Sequence, residues 1–167
     1  EAVLKFAAST GVERRPVAGG LCSSDLCLAA AERLIEQLGW QRDTIESLVF
    51  VSQTPDYLLP ATSCALHARL GLSRACAAWD INLGCSGYPY GLAAASQFIQ
   101  CGSATRSLLL VGDTINRIVS AEDPSTALLF GDAGTATALE RDETARPIRG
   151  VFGTDGTGAP HLIVPAG

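Results

Sequence analysis

Apolar residues in this chain fall into two patterns, short unbroken runs and helically spaced stripes. Leu48-Val-Phe-Val51 and Ser107-Leu-Leu-Leu-Val111 are unbroken runs with β propensity. Such runs predict buried strands, the first of them central in a sheet covered on both faces. Leu26, Ala30, Leu34 and Leu38 recur at helical spacing, which predicts a helix from an N-cap at Ser24 to about Leu38, stopped by Gly39. A shorter helix is expected over Ser63 to Leu70, before Gly71, and a strand over Ala75 to Ile81. Small residues then repeat helically from Ala93 to Cys101, up to Gly102. Thr126 to Phe130 and Thr135 to Leu139 read as strands joined by the tight connection Gly131-Asp-Ala-Gly134, and Ile148 to Phe152 as one more strand. At the start, Glu1 to Ala8 reads as a helix end, followed by a turn with a solvated arginine pair, Arg14 and Arg15. Strands alternating with helices and closing on paired strands predict an α/β fold, with a mixed, mostly parallel sheet and helices packed on both faces.

Between the expected strand at 75–81 and the helix after it lies Asn82-Leu-Gly-Cys85-Ser-Gly-Tyr-Pro-Tyr-Gly-Leu92. A cysteine at such a junction sits where helix N–H groups have no intrahelical partner, and the positive end of the helix favours thiolate over thiol. Gly84 and Gly87 permit a sharp turn and close approach of a ligand, and Pro89 in the first helical turn has no N–H to lose. The pattern predicts a nucleophilic Cys85 on a strand-to-helix elbow.

Composition narrows the partners. The 167 residues are enough for one domain, 1–167, with a full core. Net charge is −5 and no basic cluster occurs, so nucleic acid is not an expected partner. No apolar run is long enough for a bilayer, and no secretory pattern opens the chain, so no membrane partner is expected either. Six cysteines without a C-x-x-C pair, and only two histidines, predict a reducing, cytoplasmic setting with no metal site. With 47% apolar and only 17% charged residues, much surface is expected to be covered by a partner subunit or a second half.

Several segments carry a family resemblance. They are Thr10-Gly-Val-Glu-Arg-Arg15, Thr54-Pro-Asp-Tyr-Leu-Leu-Pro60, the Asn82–Leu92 elbow, Phe130-Gly-Asp-Ala-Gly-Thr-Ala136 and the loop from Thr154 through His161. Together they resemble the ketoacyl-acyl-carrier-protein synthase III family of thiolase-fold condensing enzymes. The resemblance spans nearly the whole chain but only the first half of the family's length. It implies the N-terminal half of a thiolase-like fold, with the family's opening strand before Glu1 and its second half after Gly167.

For chemistry, the resemblance implies that Cys85 takes an acyl group as a thioester, that no cofactor is needed, and that the decarboxylation histidine and asparagine lie in the second half. His67 and His161 do not match that histidine. It further implies that Leu59 crosses a homodimer interface into the partner's acyl pocket, and that Ile115, Leu129 and Phe130 line that pocket. The implied partners are an acyl thioester, an acyl-carrier protein and a second copy of the chain. Three positions depart from the family's coenzyme A contacts: Lys5 and Ser9 replace a tryptophan and an arginine, and Pro124 replaces an arginine. Arginine grips phosphate and proline cannot, so either the donor rides on a carrier protein or coenzyme A is held differently. Two other outcomes are an acyltransferase of the same fold acting on an oxygen or nitrogen nucleophile, and a catalytically silent interface half.

Overall fold

The computed structural model describes residues 2–164, so Glu1, counted in the first expected helix, lies outside the described residues. The chain forms helix α1 (Ala2–Thr10), α2 (Ser23–Leu38), strand β1 (Ser47–Val51), α3 (Thr62–Arg69), β2 (Ala77–Ile81), α4 (Gly87–Gln100), β3 (Arg106–Asp113), the single turn α5 (Pro124–Ala127) and β4 (Ala133–Glu140). The four strands make one sheet in the order β2-β1-β3-β4. β1 runs parallel to β2 and β3, and β4 returns antiparallel along β3 from Asp113↔Ala133 to Arg106↔Glu140.

The unbroken run in β1 is explained by cover on both faces, since all five of its residues are buried. Leu48 and Phe50 join Leu108 and Leu110 under α2 and α3, with Cys27, Ala31, Ile35, Leu66 and Leu70. Val49 and Val51 join Leu109 on the opposite face under α4, with Ala95. Trp79 of β2 and Phe98 of α4 stack there with ring centroids 4.5 Å apart. α2 lies close over β3 and β4 because Gly112 and Gly134, paired in register, present no side chain to it. A β-carbon at Gly134 would stand 2.5 Å from the Cys27 nitrogen, and one at Gly112 2.7 Å from the Cys27 sulfur. Burial at this crossing pushes the Cys27 thiol up to about 12.

Four expectations are corrected. Ser24 is not the N-cap of α2; Cys22 is, and Asp25 reaches back to the Cys22 N–H at 2.8 Å. Ser24 instead donates its hydroxyl to Asp56 at 2.5 Å. Thr126 to Phe130 is not a strand. Proline at the first helical position and the Asp123 carbonyl accepting from Ala127 N–H at 2.9 Å wind the segment into α5. Ile148 to Phe152 also forms no strand: the segment is exposed, lies outside the four-stranded sheet, and meets α4 through side chains. Gln100 donates to the Ile148 carbonyl at 3.3 Å, and the Tyr90 ring packs on Phe152 at 4.7 Å.

Arg15 is not a solvated partner of Arg14. It is half-buried and donates to the Asn116 side chain and to the Phe130 carbonyl. Asn116 in turn donates its N–H (3.0 Å) and its amide (2.8 Å) to Asp132, which also accepts from Ala18 N–H at 2.8 Å. Asp132, the buried residue of the Gly-Asp-Ala-Gly segment, thus clamps two loops. Burial pushes the Asp132 carboxyl up, but the hydrogen bonds from Ala18 and Asn116 and the nearby Arg15 charge outweigh it, leaving it below its ordinary 3.8.

In the full-length protein, Asp132→Ala is expected to cost about 2–4 kcal/mol of stability in urea titration, because it strands buried donors. A carboxyl depressed in the fold stabilises it above the unfolded value and loses that contribution as pH falls through the folded one. The advantage of wild type over Asp132→Asn should therefore be constant above about pH 5 and shrink below about pH 4.

Candidate active site at the strand-to-helix elbow

Cys85 is exposed in the turn between the end of β2 at Ile81 and the start of α4 at Gly87. This is the carboxyl edge of the parallel strands, where open α/β sheets place their ligands. Cys85 directly precedes the helix N-cap, Ser86. The Gly87 N–H is taken by the Gly84 carbonyl at 2.7 Å, and Pro89 has none to offer. That leaves the Tyr88 N–H as the donor of this first turn with no helix carbonyl to meet.

Gly84 and Gly87 stand in the sharp turn expected of them, closed by the Gly87 N–H on the Gly84 carbonyl, and without positive φ; among the described residues the glycines in that region are Gly11, Gly19, Gly39, Gly71 and Gly102. What they supply is contact distance to protein. A β-carbon at Gly87 would lie 2.7 Å from Val51 Cγ1, and one at Gly91 2.8 Å from Val51 and Leu109 methyls. A β-carbon at Gly84 would press into the Gln53 carboxamide, 2.5 Å from Cδ and 2.8 Å from Nε2.

The loop after β1 is fastened to the end of β3 by one carboxylate oxygen. Asp113 Oδ1 accepts from Ser52 Oγ (2.9 Å), Gln53 N–H (2.7 Å), Thr54 N–H (3.1 Å) and Thr54 Oγ1 (3.0 Å). Thr114 N–H donates to Thr54 Oγ1 at 2.8 Å and to Ser23 Oγ at 3.1 Å, which brings the start of α2 into the same network. The sequence reading missed this network. Its one signal was a carboxylate two residues past a buried apolar run, Asp113 after Val111.

The remaining expected site residues sit in two places. Leu59 is 87% exposed at the tip of the loop between β1 and α3, beside Leu58 at 93%. Leu129 and Phe130 are about 40% exposed, and Ile115 is half-buried next to Asn116. Asn116 donates to the Phe130 carbonyl at 3.4 Å, so Ile115 and Phe130 share the knot around Asp132. A cleft of about 520 Å³ lies between α4, β4 and residues 141–148, and none of these residues or Cys85 lines it. His67 binds the Ser73 carbonyl through Nε2 at 2.8 Å, a contact within its own helix–turn segment. Among the described residues there is no group of three or more metal-ligating side chains, and no helix long and apolar enough to cross a membrane.

The other cysteines divide by exposure. Cys64 and Cys101 are exposed, and all six are free thiols. A hydrogen bond with Ser103 Oγ draws the Cys101 thiol below its ordinary value. Burial pushes Cys76 up to about 11.

A family model described as 3-oxoacyl-[acyl-carrier-protein (ACP)] synthase III matches residues 79–156. The chain is similar to beta-ketoacyl-[acyl-carrier-protein] synthase III of Caldanaerobacter subterraneus, 37% identical over 160 residues, or 95% of this chain and 48% of the relative. It is similar also to beta-ketoacyl-[acyl-carrier-protein] synthase III 3 of Streptomyces coelicolor, 39% identical over 96% of this chain and 49% of the relative. Among solved structures, a 3-oxoacyl-(acyl-carrier protein) synthase from Burkholderia xenovorans superposes with TM-score 0.90 and 50% identity, over 99% of this chain and 48% of that one. The chain spans about half the length of the curated relatives it matches.

In the native full-length protein, iodoacetamide should label Cys64, Cys85 and Cys101, and should reach Cys27 and Cys76 only after denaturation. Peptide mass mapping checks this. Native labelling of Cys27 ahead of Cys85 would contradict the burial described for both.

Proposed function

The chain belongs to the 3-oxoacyl-[acyl-carrier-protein] synthase III family, with a thiolase-like α/β fold over about half of that family's length, and from this we propose that the whole protein is a condensing acyltransferase working through Cys85. The observation that carries the reading is an exposed cysteine on the turn between β2 and α4, directly before a helix N-terminus whose Tyr88 N–H has no helix carbonyl to meet.

In the first step the Cys85 thiolate attacks the carbonyl carbon of an acyl thioester. Backbone N–H groups of the elbow stabilise the oxyanion, the carbon–sulfur bond to the carrier breaks, and the carrier thiolate leaves and takes a proton from solvent. In the second step a malonyl thioester on acyl-carrier protein loses carbon dioxide. The resulting carbanion attacks the acyl carbon, which releases the 3-oxoacyl carrier and restores the Cys85 thiolate. The histidine and asparagine that steady the developing enolate belong to the family's second half. This chain supplies the N-terminal half, with the nucleophile and its N–H groups, and needs no cofactor for its step. Six free thiols fit a reducing, cytoplasmic setting.

The donor we propose is a carrier-protein thioester, because Lys5, Ser9 and Pro124 stand where the family's coenzyme A contacts are expected. The same departures support a second reading, transfer of the acyl group to an oxygen or nitrogen nucleophile in specialised metabolism. Assembly is proposed as a two-fold homodimer. An exposed Tyr57-Leu-Leu-Pro60 tip is costly in water, and a symmetric partner covers both copies at once. Leu59 then completes the partner's acyl pocket with Ile115, Leu129 and Phe130.

Cys85→Ala in the full-length protein should abolish the covalent acyl adduct seen by intact-protein mass spectrometry, and an adduct surviving in that variant would end the reading. Acylation from carrier-protein thioesters should exceed that from coenzyme A thioesters by about tenfold or more, the scale of losing one charged phosphate contact. Equal rates from both would remove the donor assignment. Leu59→Arg should shift the dimer toward monomer in light scattering and lower acylation in parallel.

A further inference from the structure

We propose that Gln53 is a positioning residue for the elbow: its carboxamide lies on Gly84 and thereby fixes how the turn carries Cys85. The proposal rests on the reading of Cys85 as the acylated residue and adds to it a part that comes from a different strand.

Gln53 looks unremarkable as a side chain, exposed and at a loop start. Its backbone is another matter. The preceding residue, Ser52, donates its N–H to the Ile81 carbonyl at 3.2 Å, which ties the end of β1 to the end of β2. Asp113 Oδ1 then accepts the Gln53 N–H, both donors of Thr54 and the Ser52 hydroxyl. Three carboxyl-terminal strand ends are thus joined at one point, and the Gln53 side chain starts from a fixed base. From there its head reaches Gly84, the residue before Cys85, closely enough that a β-carbon at 84 would overlap it. On its other side, the elbow is seated by Gly87 against Val51, a residue of the strand from which Gln53 emerges. The turn carrying Cys85 is therefore held between Val51 and Gln53, two positions apart on one strand end.

This contact is one of bulk and reach, and it separates into testable parts. The head of a glutamine can swing away, so Gly84→Ala acts by displacing Gln53 rather than by breaking the loop. Gly84→Ala and Gln53→Ala then have the same cause and do not add. In the full-length protein each should lower the rate of Cys85 acylation by about tenfold, in keeping with the cost of small misplacements. The donor KM should stay unchanged, and the double variant should be no slower than either single one. Gln53→Met, which matches the length of glutamine without its amide, should stay within about twofold of wild type, while the shorter Gln53→Asn should behave like alanine.

Native alkylation of Cys85 by iodoacetamide provides the second readout, because it needs no acyl chemistry, and it should follow the same order of variants. Losses that multiply in the double variant, or Gln53→Ala at the wild-type rate in both assays, would overturn the proposal. If wild-type Cys85 takes no acyl group, the proposed function fails instead, and the alkylation series still decides the role of Gln53.

Discussion

Gly87 and Gly91 face Val51 and Leu109 with no side chain between them, and this absence sets the depth at which α4 rests on the sheet. Larger residues would lift the helix by part of a side-chain diameter. The turn before it would then rise away from the strand ends, with Cys85 on it. The stack of Trp79 on Phe98 and the burial of Ala95 further along α4 depend on the same depth. The geometry of the nucleophile is therefore inherited in part from the packing of a helix on a sheet.

A second constraint works across the strand ends. Hydrogen bonds from four donors converge on one oxygen of Asp113, and a comparable convergence on Asp132 joins the Ala18 and Asn116 loops. Asp132 is buried and Asp113 half-buried, and carboxylates drawn out of bulk water are stabilising only when satisfied, so they define one arrangement of the loops they hold. The loops at this edge of the sheet, whose tips are exposed, are in this way fixed at their bases by shielded polar groups.

The sheet was legible in the sequence because its inner strands are unbroken apolar runs, a pattern that solvent-facing segments do not produce. The elbow was legible because the glycines and Pro89 crowd around a single cysteine. Thr126 to Phe130 was misread because a short apolar run between turn signals has the pattern of a buried strand, while the Asp123-Pro124 start that winds it into a helix lies just before it. Ile148 to Phe152 was misread because it has strand composition, but it pairs with no strand among the described residues. The roles of Asp113 and Asp132 were invisible because their partners are distant in the chain, and one-dimensional patterns do not report such convergence. Gly84 was singled out for close approach of a ligand, and the neighbour the structure shows at that distance is the Gln53 side chain.

The Tyr57-Leu-Leu-Pro60 tip has a base that is closed from both sides. The Asp56 N–H donates to Thr62 Oγ1 at 3.1 Å, so the two feet of the loop are clipped together. Asp56 is gripped by Ser24, and the N–H groups of Thr62 and Ser63 are held by the Asp80 carboxylate of β2 at 2.7 and 2.8 Å. Fixing a residue's backbone costs about 1–2 kcal/mol of conformational entropy, and for the feet of this loop that cost falls on folding rather than on docking. Whatever surface receives the two leucines meets a tip whose stem is already ordered. Its affinity can then come from a small apolar area, and exchange between partners need not involve any refolding of the loop.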